Sequence, residues 1–125
     1  MQQTATRKKT LVLGASENPS RYSNMAIRKL VSYGHPVVAI GKKGGRVNDV
    51  EIQTELAVLG DIDTVTLYLN PANQAVYFDY ILGLHPKRII FNPGTENDLL
   101  VKSAKKNGIE TIEGCTLVML SIGNY

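Results

Sequence analysis

Thr10-Leu11-Val12-Leu13-Gly14-Ala15-Ser16-Glu17-Asn18-Pro19-Ser20-Arg21 reads as a short buried strand that stops at a glycine. A loop of small and polar residues follows, and the spacing predicts a helix opening near Ser23-Asn24, with Ser23 as its N-cap. Strand, glycine turn and helix N-terminus together form an anion-binding device. The glycine lets backbone approach a phosphate, and the unpaired N–H groups of the first helical turn point at it. The loop is Gly-Ala-Ser rather than a full G-x-G-x-x-G, so the segment does not by itself specify a dinucleotide.

Working outward, strand-like and helix-like segments alternate. Met25–Tyr33 carries Ile27, Leu30 and Val31 at helical spacing, and Gly34 suits a left-handed C-cap. Pro36–Ile40 and Thr64–Leu69 are apolar strands. Asn70-Pro71 begins a helix, asparagine as cap and proline at its first position, expected to run to about Leu82. Arg88–Phe91 is another buried strand. Thr95, three residues before Asp98, caps a helix that Gly108 ends, and Glu110–Glu113 and a closing helix over Leu117–Ile122 complete the chain. Between Gly41 and Asp63 the pattern gives only a glycine-rich loop, an extended piece around Val50–Ile52 and a helical turn near Glu55–Leu59. The alternation specifies an α/β fold: a Rossmann-like, doubly wound parallel sheet of about five strands in a three-layer sandwich. Residues 1–9 read as a polar tail and 10–125 as one domain.

The chain has 125 residues, 43% hydrophobic and 20% charged, which suits one globular core. No apolar run approaches the roughly 20 residues of a membrane span, so no membrane is expected as partner. A lone cysteine, Cys115, excludes an internal disulfide and a cysteine-rich zinc site and fits a reducing cytoplasm. The net charge of +3 comes from Arg7, Lys8 and Lys9, because the other 11 basic residues balance 11 acidic ones. A broad basic face for nucleic acid is therefore not expected.

In open α/β sheets, ligands bind beyond the carboxyl ends of the strands. Those ends are Gly14-Ala15-Ser16, Gly41-Lys42-Lys43, Asn70-Pro71, Asn92-Pro93-Gly94 and Gly114-Cys115. After the second strand, an acidic residue would hold the free ribose hydroxyls of NAD. Here Lys42, Lys43 and then Arg46 stand instead, which suits a phosphorylated ribose such as that of NADP or coenzyme A. Arg21 is placed to clamp a phosphate. Ser16, Asn18, Ser23 and Asn24 add hydroxyl and amide groups near the same helix end.

The run Gly14-Ala15-Ser16-x-Asn18-Pro19-x-Arg21-x-Ser23-Asn24 resembles the opening motif of small bacterial CoA-binding domain proteins, whose fold is similar to the nucleotide-binding domain of the succinyl-CoA synthetase alpha subunit. The resemblance extends from Thr10 to the Glu113-Gly114-Cys115 turn and the final helix. It implies that Gly14, Ala15 and Ser16 line a pyrophosphate, that Arg21 meets phosphate and that Lys42 lies by the adenosine. It further implies that Asn70-Pro71 edges the pocket and that Asn92-Pro93-Gly94 faces the pantetheine. Gly41-Lys42 departs from the Asn-Pro common in that family.

A catalytic set is not apparent. His35 and His85 both precede prolines at strand starts, on the amino edge of the sheet, and no metal-ligand cluster is present. Cys115 sits at a strand-to-helix turn where neither histidine is placed to serve as its base, and although Glu113 stands two residues away, no spacing demands a Glu–Cys pair. The relatives' ligase reaction needs a phosphorylated histidine and a further domain, so the resemblance carries over binding rather than ligation. The expectation is a binder of CoA or an acyl-CoA acting as sensor, carrier or accessory module, alone, as a homodimer or beside a larger acyl-CoA enzyme. The alternatives are a small NADP-dependent oxidoreductase or a protein-interaction domain with a vestigial cleft.

Overall fold

The computed structural model describes residues 7–125. Among them a seven-stranded sheet runs β3-β4-β2-β1-β5-β6-β7, formed by β1 Thr10–Leu13, β2 Val37–Ile40, β3 Gly45–Val47, β4 Val50–Gln53, β5 Thr64–Leu67, β6 Arg88–Phe91 and β7 Glu110–Glu113. All pairings are parallel except β3 with β4. With the hairpin strand β3 set aside, the order is that of the doubly wound dinucleotide fold. Its direction of winding reverses between β1 and β5, which pair from Thr10↔Thr64 to Leu13↔Leu67.

The central strands are buried on both faces, as their β-branched and leucine-rich sequences require. Leu11 and Leu13 point to one side, packing with Val65, Leu67, Ile89 and Phe91 beneath Ile81 of α3 (Phe78–Gly83) and Leu100 of α4 (Asp98–Lys106). Val12 points to the other, against Ile27 and Leu30 of α1 (Tyr22–Ser32) and Leu120 of α5 (Thr116–Ile122). This period-two partition of one strand between two cores fixes the register: a one-residue slip would exchange them.

Several expectations are corrected. The sheet has seven strands rather than about five, because Arg46-Val47-Asn48-Asp49-Val50 folds back as a tight hairpin with Asn48 at φ 52°. No helical turn forms over Glu55–Leu59; that segment is irregular, bending at Glu55 with the Ala57 N–H donating to the Glu55 carbonyl, Leu59 packed on the first core and the Ala57 carbonyl accepting the Tyr80 hydroxyl at 2.6 Å. The helix expected from Asn70 to Leu82 is broken into α2 (Pro71–Gln74), a 3-10 turn (Ala75–Tyr77) and α3. Asn70 does cap α2, accepting from Asn73 N–H. Gln74 explains the break: its buried amide donates to the Leu69 and Thr95 carbonyls at 2.8 and 2.7 Å, pinning α2 to the sheet's end before Ile81 must enter the core. A tighter turn takes up the mismatch.

Two caps also move. Ser23 lies inside α1, whose N-cap is Arg21 without a side-chain bond. Thr95 is buried, its hydroxyl donating to the Asn92 carbonyl, while Asn97 caps α4 by accepting from Leu99 and Leu100 N–H.

At the amino edge the His35 ring packs against Tyr125, centroids 4.9 Å apart and planes tilted by 59°, and accepts the Lys8 N–H through Nδ1. Burial, with Lys8 and Arg88 adding, holds its pKa below 6.5. A depressed histidine favours folding in its neutral form, so the stabilisation is complete above the unfolded-state pKa and is lost as pH falls below it. Acid titration of stability should therefore show a decline beginning near pH 6.5 that His35→Phe flattens; an unchanged profile would assign the decline to other groups.

Candidate functional site

At the carboxyl edge of the sheet, where winding reverses, the β1–α1 and β5–α2 loops stand apart and open a crevice. Gly14 turns the chain at φ 98°, and a Cβ there would lie 2.9 Å from the Tyr68 backbone. Gly41 permits a second close approach: a Cβ would sit 2.4 Å from the Ala15 carbonyl. These two glycines let the first loop nest between β2 and β5.

The loop is not an open cradle throughout. Gly14 and Ala15 N–H both donate to the Ile40 carbonyl, at 2.9 and 3.0 Å. They shape the cleft but do not offer these donors to it. The free donors lie farther on. Because α1 has no side-chain cap, the N–H groups of Tyr22 and Ser23 meet no acceptor among the described residues. An 11-residue helix thus presents an uncapped positive end. Asn18 builds the approach to it, accepting from Ser20 N–H and Oγ, while its own N–H donates to Ser16 Oγ.

Three adjoining hollows of about 560, 240 and 250 Å³ make one groove. The first is lined by Gly14, Ala15, Ser16, Glu17, Arg21, Lys42, Lys43 and Asn70 among others. In the middle one, Gly14, Ser16, Arg21 and Asn70 recur and Ser23, Pro93, Gly94 and Thr95 join. The last is mainly apolar, bounded by Tyr22, Tyr68, Asn92, Pro93, Cys115 and Leu117. Tyr68 lines all three. The groove therefore grades from exposed cations to an apolar end with a thiol. Among the described residues the one ion pair, Lys87–Asp63, is elsewhere, so Arg21, Lys42 and Lys43 are not paired with a carboxylate, although Glu17 lines the same hollow.

Of the residues proposed from sequence, four do not line the groove. Asn18 and Gly41 shape the loop, Pro71 begins α2 behind Asn70, and Asn24 is buried, its amide donating to the Ser16 carbonyl and its oxygen accepting from Arg28. Asn92 reaches the groove's edge but is committed inward: Nδ2 donates to Thr66 Oγ1 and the Leu67 carbonyl, and Oδ1 accepts the Thr116 N–H. Sequence reasoning missed Tyr68, which lay hidden in an apolar strand pattern. Its hydroxyl is buried without a partner in bonding geometry. Burial, reinforced by Cys115, raises its pKa far above 10, with Thr66 and Thr116 opposing only in part, so the phenol stays protonated.

A second depression, about 540 Å³, lies at the amino edge beside His85, Lys87 and Asp61. It lacks a strand-to-helix loop, and it mixes both signs of charge.

Crevice, glycine turn and cationic rim define a Rossmann-like nucleotide-cleft protein. Residues 8–121 match the family of the CoA binding domain, and the chain belongs to that family. A crystal structure of an uncharacterized protein is 50% identical over 97% of this chain and all of its own, with TM-score 0.94. A hypothetical protein from Pyrococcus horikoshii OT3 superposes at TM-score 0.84 with 23% identity, covering 93% of this chain and 83% of the other. The dinucleotide-forming acetyl-coenzyme A synthetase 1 of Ca. Korarchaeum cryptofilum, solved with phosphate and ADP, superposes at TM-score 0.71 with 19% identity, covering 86% of this chain and 25% of that one. A search of curated proteins finds no match.

Proposed function

We propose that the groove binds coenzyme A or a short acyl-CoA in extended form, and that the protein serves as a binding module without catalysis of its own. The observation that carries this reading is the uncapped α1 end, with Arg21 at its N-cap, opening between two exposed lysines and an apolar hollow. Such a gradient matches a ligand with a phosphorylated nucleotide at one end and a pantetheine thiol or thioester at the other. Lys42 and Lys43 meet the 3′-phosphate, Arg21 with the Tyr22 and Ser23 N–H groups meets the pyrophosphate, and Pro93, Leu117 and Cys115 surround the thiol end. The binding-module reading is supported by the histidines: His35 and His85 both lie at the opposite edge of the sheet. A cytoplasmic CoA pool supplies the ligand, and a homodimer or a larger acyl-CoA enzyme is the partner class this role suits.

NADP would meet the same lysines, so thermal unfolding with CoA, acetyl-CoA, dephospho-CoA, NADP and NAD in parallel is the deciding experiment. A ligand at a hundredfold over its dissociation constant adds about 2.7 kcal/mol, a shift of several degrees. CoA is expected to give the largest shift. A shift with NADP alone would replace this reading with a dinucleotide site, and none at all would end it. Arg21→Ala should weaken CoA binding by about 1.5–3 kcal/mol with little change in the ligand-free melting temperature, as befits an exposed charge-assisted contact. Unchanged affinity by calorimetry would remove Arg21 from the site.

A further inference from the structure

The basic end of the groove also holds a carboxylate. Glu17 leaves the β1–α1 loop and crosses to the β3–β4 hairpin, where Oε2 accepts the Arg46 N–H at 2.9 Å. The crossing is possible because residue 45 is glycine: a Cβ there would lie 2.2 Å from Glu17 Cδ and 2.7 Å from Oε1. Oε1 has no donor among the described residues, and no lysine or arginine pairs with the carboxylate. Glu17 shares its hollow with Lys42, Lys43 and Arg21. An acceptor of this kind at the carboxyl end of β2 is what a ribose hydroxyl seeks, and sequence reasoning found none there because it comes from a different loop.

We infer that Glu17 sets how the groove grades ligands by the phosphate on their adenosine ribose. The inference rests on the CoA reading. Its negative charge lies on the same rim as the lysines, so it opposes a dianionic 3′-phosphate while its free oxygen accepts a hydrogen bond from an unphosphorylated hydroxyl. Both effects favour dephospho-CoA relative to CoA, tempering the preference that Lys42 and Lys43 create. The carboxylate is thus a specificity-determining group rather than part of the phosphate clamp.

Glu17→Gln tests this directly, since the amide oxygen still accepts the Arg46 N–H and the hairpin stays anchored while the charge is gone. Calorimetric Kd values for CoA and dephospho-CoA are to be measured on wild type, Glu17→Gln and Gly45→Ala at 50 mM and 500 mM salt. Gly45→Ala displaces the same carboxylate from the other side, through the flexible end of the Glu17 side chain. In both variants the preference for CoA over dephospho-CoA is expected to rise about three- to tenfold at low salt and to shrink at high salt, as screened charges require. A preference equal to wild type in both variants would overturn the role of Glu17 while leaving CoA binding in place. A wild type that binds neither ligand would overturn the inference together with the reading it rests on.

Discussion

Asn92→Ala is expected to cost about 2–6 kcal/mol of folding stability, because the buried Leu67 carbonyl and Thr116 N–H lose this partner together and each such loss costs about 1–3 kcal/mol, while the Thr66 hydroxyl keeps its bond to Thr116. Asn92 is 2% exposed and sits where β6 ends. Its amide ties β6 to Thr66 and Leu67 of β5 at 2.7 and 2.9 Å, and its oxygen holds the first N–H of α5 at 2.9 Å. Thr66 and Thr116 share a further bond at 2.8 Å, so the side chain is the centre of a buried polar seam between sheet and helix. A domain with 5–15 kcal/mol of total stability loses much of it here, and the melting temperature should fall by about 10–20 °C. Asn92→Asp separates the two halves of the role. The carboxylate can still accept the Thr116 N–H but sets a second acceptor against the Leu67 carbonyl, so this variant should be comparably unstable at neutral pH and recover partly in acid. A loss below 1 kcal/mol for Asn92→Ala by urea unfolding would show that the seam rearranges or admits water.

The same residue shows what was legible in the sequence. The strand–glycine–small loop, the helix after it and the alternation of apolar strands with helices were readable because each follows from local pattern. So was the end of the sheet to which Asn92-Pro93-Gly94 belongs. The inward commitment of Asn92 was not, since it depends on Thr66 and Thr116, 26 and 24 residues away, which only the fold brings together. Gln74 escaped for a like reason: nothing in Pro-Ala-Asn-Gln says that the glutamine will reach two loops and break a helix. Of the β3–β4 hairpin, the extended piece around Val50–Ile52 was legible and is β4, whereas β3, three residues ahead of an Asn-Asp pair flanked by valines, is too short for alternation to register and read as glycine-rich loop. At the site, the cations were visible as residues after strands. That Gly14 and Ala15 spend their N–H groups on Ile40, and that Glu17 crosses to Arg46, are consequences of geometry.

Two glycines of the groove allow the steric part of such geometry to be measured apart from the conformational part. Gly14 and Gly94 have nearly equal backbones, φ 98° and 91°, so an alanine at either meets the same reluctance to occupy positive φ. Their surroundings differ. Nothing lies within 4 Å of a Cβ at Gly94, whereas one at Gly14 would sit 2.9 Å from the Tyr68 carbonyl carbon and oxygen, which are backbone and cannot rotate aside. Gly94→Ala is expected to cost about 1–2 kcal/mol, the strain alone. Gly14→Ala adds a forced separation of β1 from the β5 loop and should cost about 2–5 kcal/mol in total. The separation moves the loop that carries Ser16, Glu17 and Arg21 relative to Tyr68, so Gly14→Ala should also lower CoA affinity at temperatures where it remains folded. Equal destabilisation of the two variants in parallel urea titrations would mean that Tyr68 yields freely. The β1–β5 crevice would then be soft, and its glycine would serve the turn rather than the close approach.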